Sequence, residues 1–134
     1  MSESTMRAID TNVLVRLLAR DDAKQVAAAE RFVAGGAWVS HLVLMETAWV
    51  LDSVYDLAPD RVATAMEMLL GHAQLTIEKA DVVAAAVALL RKRPKLGFSD
   101  CLIVETARSA GHVPVGTFDH ELGKLEDVQR LASS

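Results

Sequence analysis

Short apolar segments of strand length alternate with helix-length segments along this chain, and no other feature restricts its fold as strongly. Arg7-Ala8-Ile9, Ala37-Trp38-Val39 and Leu75-Thr76-Ile77 read as the first three strands. Residues 113–118 read as a fourth, and residues 128–131 as a fifth. Between them the apolar spacing is helical. Val13, Leu14, Leu17 and Leu18 mark one side of a first helix, which Thr11 or Asn12 can cap. Asp21 or Asp22 can cap an Ala-rich second helix that stops at Gly35-Gly36. Ser40 can cap a strongly apolar helix over 41–55, and Pro59 suits the first turn of the next, which ends near Gly71. Another apolar helix covers 80–90 and is closed by Arg91-Lys92-Arg93-Pro94. Ser99 can cap a last helix over 100–110, ended by Gly111. Strands alternating with helices predict a three-layer α/β/α sandwich around a short, mostly parallel central sheet. The strands are uniformly apolar, which predicts cover on both faces.

A chain of 134 residues, 51% of them apolar, can bury one real core and has little room for a second domain. Residues 1–134 therefore read as a single domain. Aromatic residues are only 4%, so the core must be built from Ala, Val and Leu. Fourteen basic residues against eighteen acidic ones give a formal charge of −4, which argues against a protein that coats nucleic acid. A catalyst that meets nucleic acid at one site remains compatible with that balance. The single Cys101 excludes an internal disulfide or a Cys-based zinc site within the chain. The longest uncharged run, residues 32–45, contains Gly35, Gly36, Ser40 and His41 and is too short to span a bilayer. The first seven residues are polar and lead into a segment broken by Arg16, unlike a secretory signal. The expected location is the cytoplasm.

Four carboxylates sit where solvent alone does not explain them. Asp10 directly follows the first strand, and Asp119 follows the fourth in Gly116-Thr117-Phe118-Asp119. In parallel sheets the carboxyl ends of strands line the ligand crevice. Asp100 lies in a first helical turn and shares its face with Ile103, Val104 and Ala107. Glu46 has Leu42, Val43, Trp49 and Val50 as its helical neighbours, so burial is expected there. A buried charge costs several kcal/mol unless it is paired or metal-bound. Each acid also has a structural explanation. Asp10 and Asp119 could cap the helices that follow them, Asp100 could match a helix dipole, and Glu46 could pair with Arg16. Taken together, four acids on four elements can converge at one sheet edge. Mutual repulsion would raise their pKa values, and a hard divalent cation would relieve it. Oxygen-only ligands suit Mg2+ or Mn2+ rather than zinc.

These residues resemble a PIN domain, most of all a VapC-type toxin ribonuclease of a bacterial toxin–antitoxin pair. The resemblance rests on Ala8-Ile9-Asp10-Thr11-Asn12-Val13-Leu14 and Leu44-Met45-Glu46-Thr47-Ala48. It continues in Phe98-Ser99-Asp100-Cys101-Leu102-Ile103 and in Gly116-Thr117-Phe118-Asp119. The resemblance implies a metal-dependent endoribonuclease with Asp10, Glu46, Asp100 and Asp119 as its catalytic and metal-binding acids. Thr117 would be a supporting hydroxyl and Asn12 a neighbour of the ligands. Residues 121–127 match no motif. The resemblance also implies a homodimer, silenced by an antitoxin whose tail fills an apolar groove and reaches the acids. The apolar content of residues 43–54 and 58–70 agrees with an interface, or simply with a well-packed core.

Other features are weaker. Arg91, Lys92, Arg93 and Lys95 could lead RNA toward Asp100, or could simply favour a helix C-terminus. Arg16 and Arg20 are further candidate RNA contacts. His41, His72, His112 and His120 show no ligand spacing, and Trp38 and Trp49 read as core or interface. A phosphoacceptor signalling domain would want an acidic pair near the first strand and a Lys at a late strand end. A haloacid-dehalogenase-like phosphatase needs an Asp where Asn12 stands. A catalytically inactive PIN-like binding module is the remaining alternative.

Overall fold

In the computed structural model, which describes residues 6–133, six helices pack around two short parallel sheets. The elements run β1 (Arg7–Ala8), α1 (Thr11–Ala19), α2 (Ala23–Val33), β2 (Ala37–Val39), α3 (His41–Ser53) and α4 (Pro59–Leu70). They continue with β3 (Leu75–Ile77), α5 (Ala80–Lys92), α6 (Phe98–Ala110), β4 (Val115–Thr117) and β5 (Val128–Arg130). Short 3-10 turns lie at Pro94–Leu96 and Leu122–Lys124. The architecture is the mixed α/β type expected. Residues 1–5 and 134 lie outside the described residues, and so does most of the segment read above as lacking a secretory signal. No helix among the described residues is long and apolar enough to cross a membrane.

The expected single sheet is divided. Strands β1, β2 and β3 pair in parallel in that order, with Ala8 opposite Trp38 and Trp38 opposite Thr76. Strands β4 and β5 form a separate parallel pair, with Thr117 opposite Arg130. Pro114 has no N–H for a ladder, so β4 begins only at Val115. Cover on both faces is not complete either. Ala37 and Val39 are buried, whereas Trp38 between them is 38% exposed, and Thr76 beside it is exposed as well. Strands of three residues are too short for the helices to seal both faces.

Local chemistry accounts for most helix starts. Ser40 Oγ accepts the Val43 N–H at 3.1 Å, and Asp22 Oδ1 accepts that of Gln25 at 3.1 Å. Pro59 opens α4, where its missing N–H costs nothing. The expected Ser99 cap is not made. Helix α6 begins two residues earlier, at Phe98, after Gly97 with a positive φ of 79°. Phe98 is buried, and starting the helix there lets its ring join the core.

The core is aliphatic, as the composition required. Leu44, Ala48 and Leu51 of α3 meet Val62, Met66 and Leu69 of α4, together with Val83, Ala86 and Leu90 of α5. Helix α6 adds Cys101, Leu102 and Val104. Thr47 is fully buried among these residues, and its hydroxyl has no hydrogen-bond partner among the described residues. An unmade buried hydrogen bond costs about 1–3 kcal/mol. Thr47→Val keeps the shape and removes the orphaned group. It is expected to raise thermal stability, read as an upward shift in the calorimetric midpoint.

Candidate active site

The four acids occupy the starts or exposed faces of separate elements, and each position has a local cause. Asp10 follows β1 and is the N-cap of α1, where its Oδ1 accepts the Val13 N–H at 3.2 Å. Asp119 plays the same part for the turn after β4, accepting the Leu122 N–H at 2.7 Å. The capping explanation thus holds for both, yet each carboxylate keeps a second oxygen outside these bonds. Thr117 Oγ1 accepts the Asp119 backbone N–H at 3.0 Å, so its hydroxyl fixes the chain from which that acid projects. Asp100 is not a cap. It lies half-buried in the first turn of α6.

Glu46 departs from expectation. It is exposed, and so are Leu42 at 75% and Trp49 at 65% on the same face of α3. Apolar neighbours at helical spacing cannot distinguish a buried face from an exposed apolar one. The buried stripe of α3 is Leu44, Thr47, Ala48 and Leu51, one step around the helix. Glu46 does not pair with Arg16, which binds Asp21 instead. It accepts a hydrogen bond of 2.6 Å from the Thr11 hydroxyl. That bond ties the start of α1 to the middle of α3. Thr11 had stood out only as a possible cap; a hydroxyl directly after Asp10 was the available signal for more.

Two adjoining clefts result. Asp10, Thr11, Asn12 and Glu46 line one of about 490 Å3, and Asp100 lines a second of about 340 Å3. Trp49 borders both, so it belongs to the site's surface and not to the core. Burial first, and then the negative charge of Asp119, push the Asp100 carboxyl above its ordinary value. Asp119 therefore lies within electrostatic reach of Asp100, while Asp10 and Glu46 share the other cleft. Among the described residues, no three His, Cys, Asp or Glu side chains are grouped so as to hold a metal ion. In chemistry, the donor set still fits a hard divalent cation, since every group is a carboxylate or hydroxyl oxygen. The ion pairs among the described residues use none of the four acids. Beside Asp100, burial pushes the Cys101 thiol up to about 12, which makes it an inert core residue.

Several candidate RNA contacts are already engaged. Arg20 pairs with Glu30 at 3.0 Å. Arg91 turns toward α4 and binds Asp60 and Glu67, both at 2.7 Å. The basic run is continuous in sequence but not in space, because successive helical residues point about 100° apart. Lys92, Arg93 and Lys95 stay exposed, and Lys95 reaches the cleft of Asp100. Replacing these three by Ala is expected to flatten the plot of log RNA affinity against log salt by about 2 units. Arg91→Ala should leave that slope unchanged while lowering thermal stability.

Carboxylates presented at strand ends and helix starts define an α/β domain with an acidic edge. The chain belongs to the PIN domain family, whose profile matches residues 8–128. PIN domains are in general metal-dependent nucleases, hydrolases that act on nucleic acid. No curated protein and no solved structure gives a significant match. The family match lends no support to a phosphoacceptor or a dehalogenase-like phosphatase.

Proposed function

We propose that this protein, read as one PIN-like domain over residues 1–134, is a Mg2+- or Mn2+-dependent endoribonuclease and the toxin of a toxin–antitoxin pair. One observation carries the reading. Asp10, Glu46 and Asp100 border adjoining clefts, Asp119 is close enough to Asp100 to act on its charge, and none of the four has a cation partner among the described residues, while Arg16, Arg20, Arg91 and Arg108 are each committed to other acids. Asp10, Asp100 and Asp119 would hold the ion, and Glu46 would orient the attacking water or help hold a second ion. A bound divalent cation neutralises such clefts, polarises a phosphate oxygen and acidifies water. Without it the acids repel a phosphate backbone. Thr11 keeps the Glu46 carboxylate facing the cleft, and Thr117 keeps Asp119 in place.

EDTA is expected to abolish cleavage of single-stranded RNA by the purified protein, and added Mg2+ or Mn2+ to restore it. RNA left intact under all metal conditions would instead favour an inactive binding module. The partner reading draws on exposed apolar surface. Leu42 and Val54 of the α3 segment suit a second copy of the chain, giving a homodimer. An apolar cleft of about 290 Å3, bordered by Leu18, Tyr55 and Met68, suits the tail of an antitoxin. With no membrane-length helix among the described residues, a cytoplasmic location fits this role.

A further inference from the structure

We propose that the cleft beside Asp100 is a nucleobase subsite, in which an unstacked base of single-stranded RNA lies against the face of Trp49. The substrate class rests on the nuclease reading above; the subsite rests on the shape and chemistry of this cleft. Its lining includes Val62, Leu90 and Phe98, all buried, so much of it is apolar. Its volume of about 340 Å3 falls within the ~300–1,000 Å3 of small-ligand sites. Trp49 forms the wall toward the cleft of Asp10 and Glu46, and it is 65% exposed. A large ring left in water beside an acidic edge is a platform awaiting a flat partner. Nucleobases stack on aromatic side chains largely irrespective of sequence.

The polar groups at the rim match a nucleotide rather than a purely apolar side chain. Lys95 supplies a cation for a phosphate, and the exposed Asp52 supplies an acceptor for the N–H edge of a base. Neither takes part in an ion pair among the described residues. Trp49 follows Glu46 by three residues on α3, so both point to the same side. A base on Trp49 therefore lies where the two clefts meet. A base held in a duplex cannot enter, and the site selects single strands, loops or ends.

The chain has two tryptophans, so Trp38→Phe leaves Trp49 as the only fluorescent indole. That variant is mixed by stopped flow, in Mg2+, with a short single-stranded RNA, its duplex, and an abasic strand of equal charge. The single strand is expected to quench Trp49, and the duplex and abasic strand are not. In the otherwise native chain, Trp49→Ala is expected to raise KM about tenfold, equivalent to about 1.4 kcal/mol. Its kcat should change by less than about twofold, and Trp49→Phe should recover most of the loss. Equal quenching by the abasic strand, no quenching by RNA, or an unchanged KM in Trp49→Ala overturns the subsite. If the native protein cleaves RNA while those results hold, only the subsite falls. Quenching by single-stranded RNA in a protein that cleaves none sinks the nuclease and retains the subsite. Quenching by an apolar peptide but not by RNA assigns the cleft to a protein partner and overturns the proposal.

Discussion

Asp100→Asn is expected to lower RNA cleavage by about a hundred- to a thousandfold, the scale seen when one preorganised electrostatic group is removed from a catalytic site. Asn keeps the size and one oxygen but gives up the charge that would hold a divalent ion. The variant should remain folded. Asp100 is half-buried, and burial together with Asp119 pushes its carboxyl above its ordinary value. The sign follows directly. A carboxyl whose pKa is raised on folding is harder to ionise in the folded chain than in the unfolded one. Its ionised form therefore opposes folding once the pH exceeds the ordinary value of 3.8, and that cost is complete above the raised value. Asn never ionises, so at neutral pH Asp100→Asn should match or exceed the native urea midpoint. Loss of cleavage with an unchanged or raised midpoint is the expected pair of results. Full cleavage by the variant would remove Asp100 from the chemistry.

How far the sequence foretold this molecule depends on the range of the interaction involved. Ser40, Asp22 and Pro59 act on backbone groups within a few residues of themselves, and their helix starts were legible. Ser99 looked equally apt, yet burial of Phe98 against distant residues decided where α6 starts. The order of strands and helices was legible because it follows from apolar periodicity. The separation of β4 and β5 from the other three strands was not, since it depends on how far short ladders extend. At the site, Asp10 and Asp119 could be placed at strand ends from sequence order alone. Glu46 and Arg91 could not. Whether a helix face meets core, solvent or a neighbour's acids is fixed by packing partners far away in the chain, here Thr11 for Glu46 and Asp60 with Glu67 for Arg91.

Leu102→Ala is expected to produce the opposite phenotype from Asp100→Asn, two residues away. Leu102 is 2% exposed and lies in the aliphatic core together with Leu90 of α5 and Val104 of its own helix. Truncating a buried Leu loses its transfer free energy and leaves a cavity, a cost of about 2–5 kcal/mol. A domain of this size has only about 5–15 kcal/mol in total. The urea midpoint should therefore fall by about 1–2 M with little change in slope, given slopes of about 1–3 kcal/mol per M. The catalytic consequence should be small while the chain stays folded, because Leu102 faces the core and Asp100 faces the cleft. Near-native cleavage in dilute buffer, lost at a lower temperature than in the native protein, is the expected pattern. The reason lies in how the acidic edge is held: the hydrogen bonds of Asp10 and Glu46 go to Val13 and Thr11 and not to one another or to Asp100, so the spacing of the acids is set by the core beneath them. If Leu102→Ala instead lost cleavage as completely as Asp100→Asn while still folded at the assay temperature, the core would be shaping the site directly and not merely supporting it.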